Sequence, residues 1–187
     1  MLSCAPDNDL RSGPGITYRY WTRKPPLFAF GAGLSYTNFT YSWAEKPAQR
    51  VSTALLVASE GKLGLSVHVT NTGTVDADAV VLAFVRVNLT ETETADDDLS
   101  TSAAAAPAAQ HQLGCPLKTL AGFSRVHVHA GARVTTAFII SPREIACVGE
   151  DGSIVLRSGT VTLEVGDVVA PVTASTIVTG PAIVLPE

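Results

Sequence analysis

The 187-residue chain has little charge, few cysteines and no long apolar run. Only 16% of residues are charged, and no stretch approaches the roughly 18 consecutive apolar residues that a membrane-spanning helix needs. Its 13 basic residues form no cluster and the net charge is -4, so the electrostatic footprint of a nucleic-acid or anionic-lipid binder is missing. Neither nucleic acid nor a membrane is expected as a partner. The acidity itself is local: Glu91, Glu93, Asp96, Asp97 and Asp98 carry five charges with no Lys or Arg between them, and without them the rest carries +1. The three cysteines, Cys4, Cys115 and Cys147, follow no metal-ligand spacing and allow at most one bridge, whose partners stay open. Residues Met1 to Arg11 have neither a basic start nor an apolar stretch and are not read as a secretory leader.

What is present is uneven. Nine of the twelve aromatics fall between Tyr18 and Trp43, interleaved with Pro25, Pro26, Gly31 and Gly33. Those prolines and glycines forbid a long helix or an unbroken strand, so residues 1–45 read as an irregular, extended connector. An aromatic side chain can bury roughly 150–250 Å2. A segment this rich in them needs an apolar surface to cover, either on its own domain or on a partner. Tyr18, Tyr20, Trp21, Phe28, Phe30 and Tyr36 are the candidate docking residues.

From Val51 the expected pattern is period-two alternation, the mark of half-buried strands. Leu63, Leu65, Val67 and Val69 alternate with Gly64, Ser66, His68 and Thr70 up to the turn at Asn71-Thr-Gly73. Ala79 to Val87 is nearly all apolar and reads as a central strand. Thr90 to Ala109 shows neither period and is expected to be a mobile, disordered insertion, placed at about 90–112. Strand patterning returns at 117–123, 126–129 and 134–140. Ser141-Pro-Arg-Glu144 has an N-cap, a proline at the first helical position and an acid at the third, which predicts one helical turn to about Val148. Asp151-Gly152 predicts a tight hairpin leading into Ile154–Leu156, and Val161, Leu163 and Val165 predict a strand from Gly159. Several short strands with almost no helix make an all-β antiparallel sandwich of immunoglobulin type over residues 46–187. Leu65, Val67, Phe123, Phe138, Leu163 and Val165 are its expected core.

Residues with chemical potential are sparse. His127 and His129 share one strand face and could offer two imidazoles to a metal, but no third ligand is visible beside them in the sequence, so they read as surface histidines, as does His68. Asp76, Asp78, Glu150 and Asp151 sit at turns and read as solvated. No nucleophile elbow or phosphate loop occurs. No catalytic, metal or cofactor-binding residue is expected. Asn38-Phe-Thr40 and Asn88-Leu-Thr90 are N-glycosylation sequons, meaningful only in a secretory compartment.

Three ordered stretches resemble the C-terminal part of family 3 glycoside hydrolases, the β-glucosidases and β-xylosidases. Pro14 to Trp21 and Pro26 to Thr37 resemble the family's "GRTYRYF…PFGYGLSYT" connector. Val67 to Gly73 resembles its "VTNTG" strand end, and Val80 to Val85 the strand that follows. Pro116 to Val126, Ser141 to Glu144, Glu150 to Gly152 and Gly159 to Gly166 resemble its fibronectin type III-like module in order and spacing. The Tyr-Arg-Tyr-Trp connector leans toward the β-xylosidase branch. The resemblance implies a fibronectin type III-like sandwich preceded by a connector that packs on upstream catalytic domains. It also implies that the family's nucleophilic Asp and acid/base Glu lie in those domains, since nothing in this sequence matches their motifs. A loop of about a dozen residues in the family is replaced here by the far longer stretch from Arg86 to Cys115. Two functions are therefore expected as alternatives: an accessory module bracing a glycoside hydrolase, or a free-standing carbohydrate- or protein-binding sandwich. Self-association through an uncovered connector is a further expectation.

Overall fold

The structure is a computed structural model and describes residues 15–58, 63–89, 115–149 and 151–186. Its strands are β1 (Phe39–Glu45), β2 (Arg50–Ser52), β3 (Leu63–Asn71), β4 (Ala77–Leu89), β5 (Thr119–Val128), β6 (Arg133–Ile140), β7 (Cys147–Val148), β8 (Ile154–Leu156), β9 (Gly159–Gly166), β10 (Val172–Thr179) and β11 (Ile183–Val184). They form a three-stranded sheet in the order β1-β3-β6, a five-stranded sheet β2-β10-β9-β4-β5 and a small sheet β11-β8-β7. Every pairing is antiparallel except β2 with β10.

Alternation decides which side chains are inside. Along β3, Leu63, Leu65, Val67 and Val69 are buried while the intervening residues are not. They meet Ala79, Val81, Ala83 and Val85 of β4, Val161, Leu163 and Val165 of β9, and Phe138 and Ile140 of β6 in one apolar cluster. Burying each of the Val, Leu, Ile and Phe side chains among them stabilises the fold by about 1.5–3 kcal/mol. Phe138 stands opposite Leu65 in the β3–β6 register.

Phe123 does not join the core and is 75% exposed. The reason lies in the strand's parity: Val126 and Val128 point inward, so Phe123 falls on the other face with Arg125 and His127. The expected alternation from Val51 also fails after Ser52, because Thr53–Ala58 is a six-residue helix, α2. Ser52 starts it by accepting the Leu55 N–H on its hydroxyl at 3.1 Å, the local bond through which serine favours helix starts.

The aromatic connector is more regular than its composition suggests. Thr17–Tyr20 forms one helical turn, α1. Phe39–Glu45, within the stretch read as connector, is strand β1, with Phe39, Tyr41 and Trp43 half-buried against the core. Burial, with the nearby Asp167 carboxylate adding to it, pushes the Tyr41 phenol up to about 12.

The remaining elements follow their local signals. The predicted turn at Ser141 is a 3-10 helix, Pro142–Ile145, with the Ser141 N–H donating to the Glu144 carboxylate. It ends before Val148 because Cys147 and Val148 pair with β8. The Asp151-Gly152 hairpin joins those two strands. Cys115 and Cys147 are both buried and disulfide-bonded, which closes a 32-residue separation. Cys4 and the expected insertion, Thr90 to Ala109, lie outside the described residues. Among the described residues, no helix is long and apolar enough to cross a membrane.

Candidate docking surface

On β4 the even-numbered residues Asp78, Val80, Leu82, Phe84 and Arg86 face away from the core. Asp78 and Val80 are exposed, yet Leu82 and Phe84 are buried. What covers them is the connector. The rings of Tyr18 and Phe30 stack with centroids 4.1 Å apart and planes within 7°. Each then meets Phe84 edge-on, at 6.1 and 6.3 Å. The Leu120 N–H donates to the Tyr18 hydroxyl at 3.1 Å, and the Leu117 N–H to the Arg19 carbonyl at 2.7 Å. Gly31, at φ +86°, passes so close to Leu82 that a Cβ there would sit 2.4 Å from Leu82 Cδ1. Only glycine fits both that backbone and that approach. The uninterrupted apolar character of β4 is thereby explained: its centre is covered on both faces.

A charged rim completes the contact. Lys118 places its ammonium 4.1 Å from the centre of the Phe84 ring, a cation–π arrangement. Lys118 and Arg86 both bond to Glu164. Burial alone would raise the Glu164 carboxyl, but the hydrogen bonds and charges of Lys118 and Arg86 outweigh it and hold the group below its ordinary value. Between this rim and the connector lies an open groove of about 790 Å3, lined by Trp21, Phe28 and Phe84 among others.

The second anchor is Thr37, which is buried. Its hydroxyl donates to Asn71 Oδ1 at 2.6 Å. Between the two anchors the chain holds apolar side chains out into solvent: Leu27 and Leu34, with Phe28 and Tyr36 of the candidate docking residues, are between 78% and 103% exposed. Trp21 is 41% exposed, with its indole N–H donating to the Lys24 carbonyl at 2.8 Å. Thus Tyr18 and Phe30 contact the sandwich, Tyr20 is half-buried, and Phe28 and Tyr36 stand away from it.

The other sequence candidates lie away from this surface. Asn38 and Thr40 are exposed at the start of β1, and Asn88 is exposed on β4, while Thr90 of its sequon lies outside the described residues. Asp151 Oδ1 accepts bonds from its neighbour Ser153. Glu150 lies outside the described residues. Asp76, Asp78, His127 and His129 are exposed, and the structure brings them together; the third group beside the two histidines, Asp76, is distant in sequence and became visible only through strand pairing. Glu164 is the other residue that sequence reading missed, and its outward position on β9 was the one signal.

A fibronectin type III-like domain family matches residues 104–168. The chain carries a fibronectin type III-like domain of the kind found in family 3 glycoside hydrolases. It is 34% identical over 155 residues to a beta-xylosidase of Formosa agariphila, covering 83% of this chain and 17% of that protein. To a probable beta-D-xylosidase 6 of Arabidopsis thaliana it is 27% identical over 188 residues, covering 86% and 21%. Among solved structures, a GH3 exo-beta-xylosidase matches with a TM-score of 0.76 at 23% identity, over 98% of this chain and 23% of that one. A beta-glucosidase from Listeria innocua matches with a TM-score of 0.62 at 18% identity, over 92% and 22%. The chain thus spans about a fifth of the length of the curated relatives it matches.

Proposed function

We propose that this chain is the accessory C-terminal module of a glycoside hydrolase similar to the β-xylosidases and β-glucosidases, and that it braces the catalytic domains. The observation that carries this reading is the connector: it is pinned to the sandwich through Tyr18, Phe30 and Thr37, while Leu27, Phe28, Leu34 and Tyr36 are held outward. Side chains this apolar and this exposed, on a segment this well anchored, fit an interface with another domain. The occupant we assign is the catalytic portion of the same hydrolase, joined upstream or supplied in trans.

Retaining hydrolysis of a glycoside needs two carboxyl groups about 5–5.5 Å apart, one as nucleophile and one as proton donor. Glu164, the carboxylate in the groove, is a poor proton donor, since Lys118 and Arg86 occupy its oxygens and keep it ionised. We therefore assign the chemistry to residues outside this chain. The buried Cys115–Cys147 bridge and the exposed Asn38 sequon fit maturation in an oxidising, glycosylating compartment.

The test is release of nitrophenol from aryl β-xylosides and β-glucosides by the purified 187-residue chain. No turnover is expected. Turnover that disappears in a variant of Asp76, Asp78, Asp151 or Glu164 would overturn the reading, because one of these carboxylates would then be catalytic.

A further inference from the structure

The antiparallel register of β4 and β5 sets Asp78 opposite His127 and Ala77 opposite Val128. One step further along the same ladder, Asp76 faces His129. The result is a two-by-two array of carboxylates and imidazoles on the outer face of the five-stranded sheet. His127 Nδ1 lies 2.7 Å from Asp78 Oδ1, and His129 Nδ1 lies 2.7 Å from Asp76 Oδ2. Each carboxylate is fixed from its other oxygen: Asp76 Oδ1 accepts the Ala130 N–H at 2.7 Å, and Asp78 Oδ2 accepts from Arg125 Nε at 2.8 Å. The two imidazoles stand perpendicular, with centroids 5.0 Å apart. One ligand atom from each of Asp76, His127 and His129 falls within 4.8 Å of the others.

Those distances have a chemical reading. Zinc binds imidazole nitrogen at about 2.0–2.1 Å and carboxylate oxygen at about 2.0–2.2 Å, which places tetrahedral ligand atoms roughly 3.4 Å apart. All three side chains are exposed, so a torsional adjustment of each can close the remaining gap without disturbing the core. Two nitrogens and one oxygen are a borderline donor set, suited to zinc, nickel or copper and unsuited to magnesium or calcium, which take oxygen ligands. The carboxylate on the far side of His127 is also where a metal site wants it: Asp78 accepts from Nδ1 and leaves Nε2 for an ion. Arg125 is paired with Asp78, whereas the ionic partner of Asp76 is His129.

We propose that Asp76, His127 and His129 form a surface site for a zinc-class divalent ion, with Asp78 as the residue that positions His127. The remaining coordination positions face solvent. The site lies on the same sheet face as the connector contact, with Asp76 six residues before Leu82 in the chain, or roughly 20 Å at the usual strand rise.

The experiment is calorimetric titration of the tag-free, metal-stripped chain with zinc chloride, then nickel, magnesium and calcium chlorides. Saturable one-to-one binding of zinc and nickel is expected, with magnesium and calcium at least a hundredfold weaker. His127→Ala and His129→Ala should each weaken zinc at least tenfold, and Asp78→Asn about tenfold, as loss of an orienting partner does. His68→Ala, on the other sheet, should leave binding unchanged. Without metal, all four variants should still unfold in one cooperative thermal transition, which separates a lost site from a lost fold. Absence of saturable zinc binding, equal binding of calcium, or zinc binding undiminished in the His127/His129 double variant would each overturn the proposal.

Discussion

The hydroxyl of Thr37 donates to the side-chain carbonyl of Asn71 at 2.6 Å, joining the end of the connector to the end of β3 across 34 residues of sequence. Asn71 is fully buried, and its amide nitrogen donates to the carbonyls of Val75 and Val128 at 2.8 and 3.1 Å. Its oxygen also accepts the Gly73 N–H at 3.0 Å. A Cβ at Gly73 would lie 2.1 Å from Thr37 Oγ1, so the turn admits the threonine only because it carries glycine there. Two of the stretches that resemble the hydrolase family, ending at Thr37 and at Asn71 to Gly73, are thus one structural unit.

Removing Asn71 strands several buried groups at once. An unsatisfied buried donor or acceptor costs about 1–3 kcal/mol, so Asn71→Ala should lower stability by about 3 kcal/mol or more, and Thr37→Val by about 1–2 kcal/mol. Urea denaturation of both variants checks this. Midpoints equal to that of the parent would mean that the linkage does not hold the connector.

Phe138 and Phe123, on strands that are consecutive in the chain but in different sheets, should respond oppositely to truncation. Phe138→Ala should cost about 3–5 kcal/mol, the usual cost of emptying an aromatic site in a core. Phe123→Ala, at an exposed position, should change stability by less than about 0.5 kcal/mol. The reverse order in denaturant titrations would mean that β5 is shifted by one residue.

The strands were legible in the sequence wherever one face is buried and the other solvated, as in Leu63–Asn71 and Gly159–Gly166. Phe123 was misread because hydrophobicity was weighed above parity, although the burial of Val126 and Val128 already fixes the face. The double burial of Leu82 and Phe84 was not legible, since it depends on Tyr18 and Phe30 returning from about 55 to 65 residues upstream. Nor was the Asp76–His129 neighbour pair, 53 residues apart in the chain, which exists only through the register of two strands. The disulfide partners were open for the same reason: three cysteines allow three pairs, and only the fold brings Cys115 to Cys147.

Breaking that bridge frees a long loop in the unfolded chain. For a separation of 32 residues, loop-closure entropy corresponds to roughly 3–4 kcal/mol. Cys147→Ala should destabilise by about that amount in oxidising buffer, and a reductant should affect the parent but not the variant. Equal sensitivity of both proteins to reductant would contradict the assignment.

Acid should weaken the Lys118–Glu164–Arg86 cluster. Glu164 titrates below its ordinary value of 4.5 in the folded chain, so its contribution is present above the unfolded value and is lost as pH falls through the folded one. Asp76 and Asp78, lowered by hydrogen bonds from His129 and His127 respectively and from their other neighbours, act in the same direction. Stability measured from pH 6 down to pH 3 should fall less steeply in Glu164→Gln than in the parent. Parallel curves would show that the Lys118–Glu164–Arg86 cluster does not contribute.

The outward-held Leu27, Phe28, Leu34 and Tyr36 of the connector are proposed to form an interface with another domain. With no hydrolase domain to cover it, the isolated chain should bury that face against a second copy. Sedimentation velocity over a wide concentration range, run on the parent and on a variant with Leu27, Phe28, Leu34 and Tyr36 all changed to serine, tests this directly. The expected result is concentration-dependent association of the parent and a monomeric, equally stable variant. A parent that stays monomeric at every concentration, or a variant that associates as the parent does, would rule out the interface.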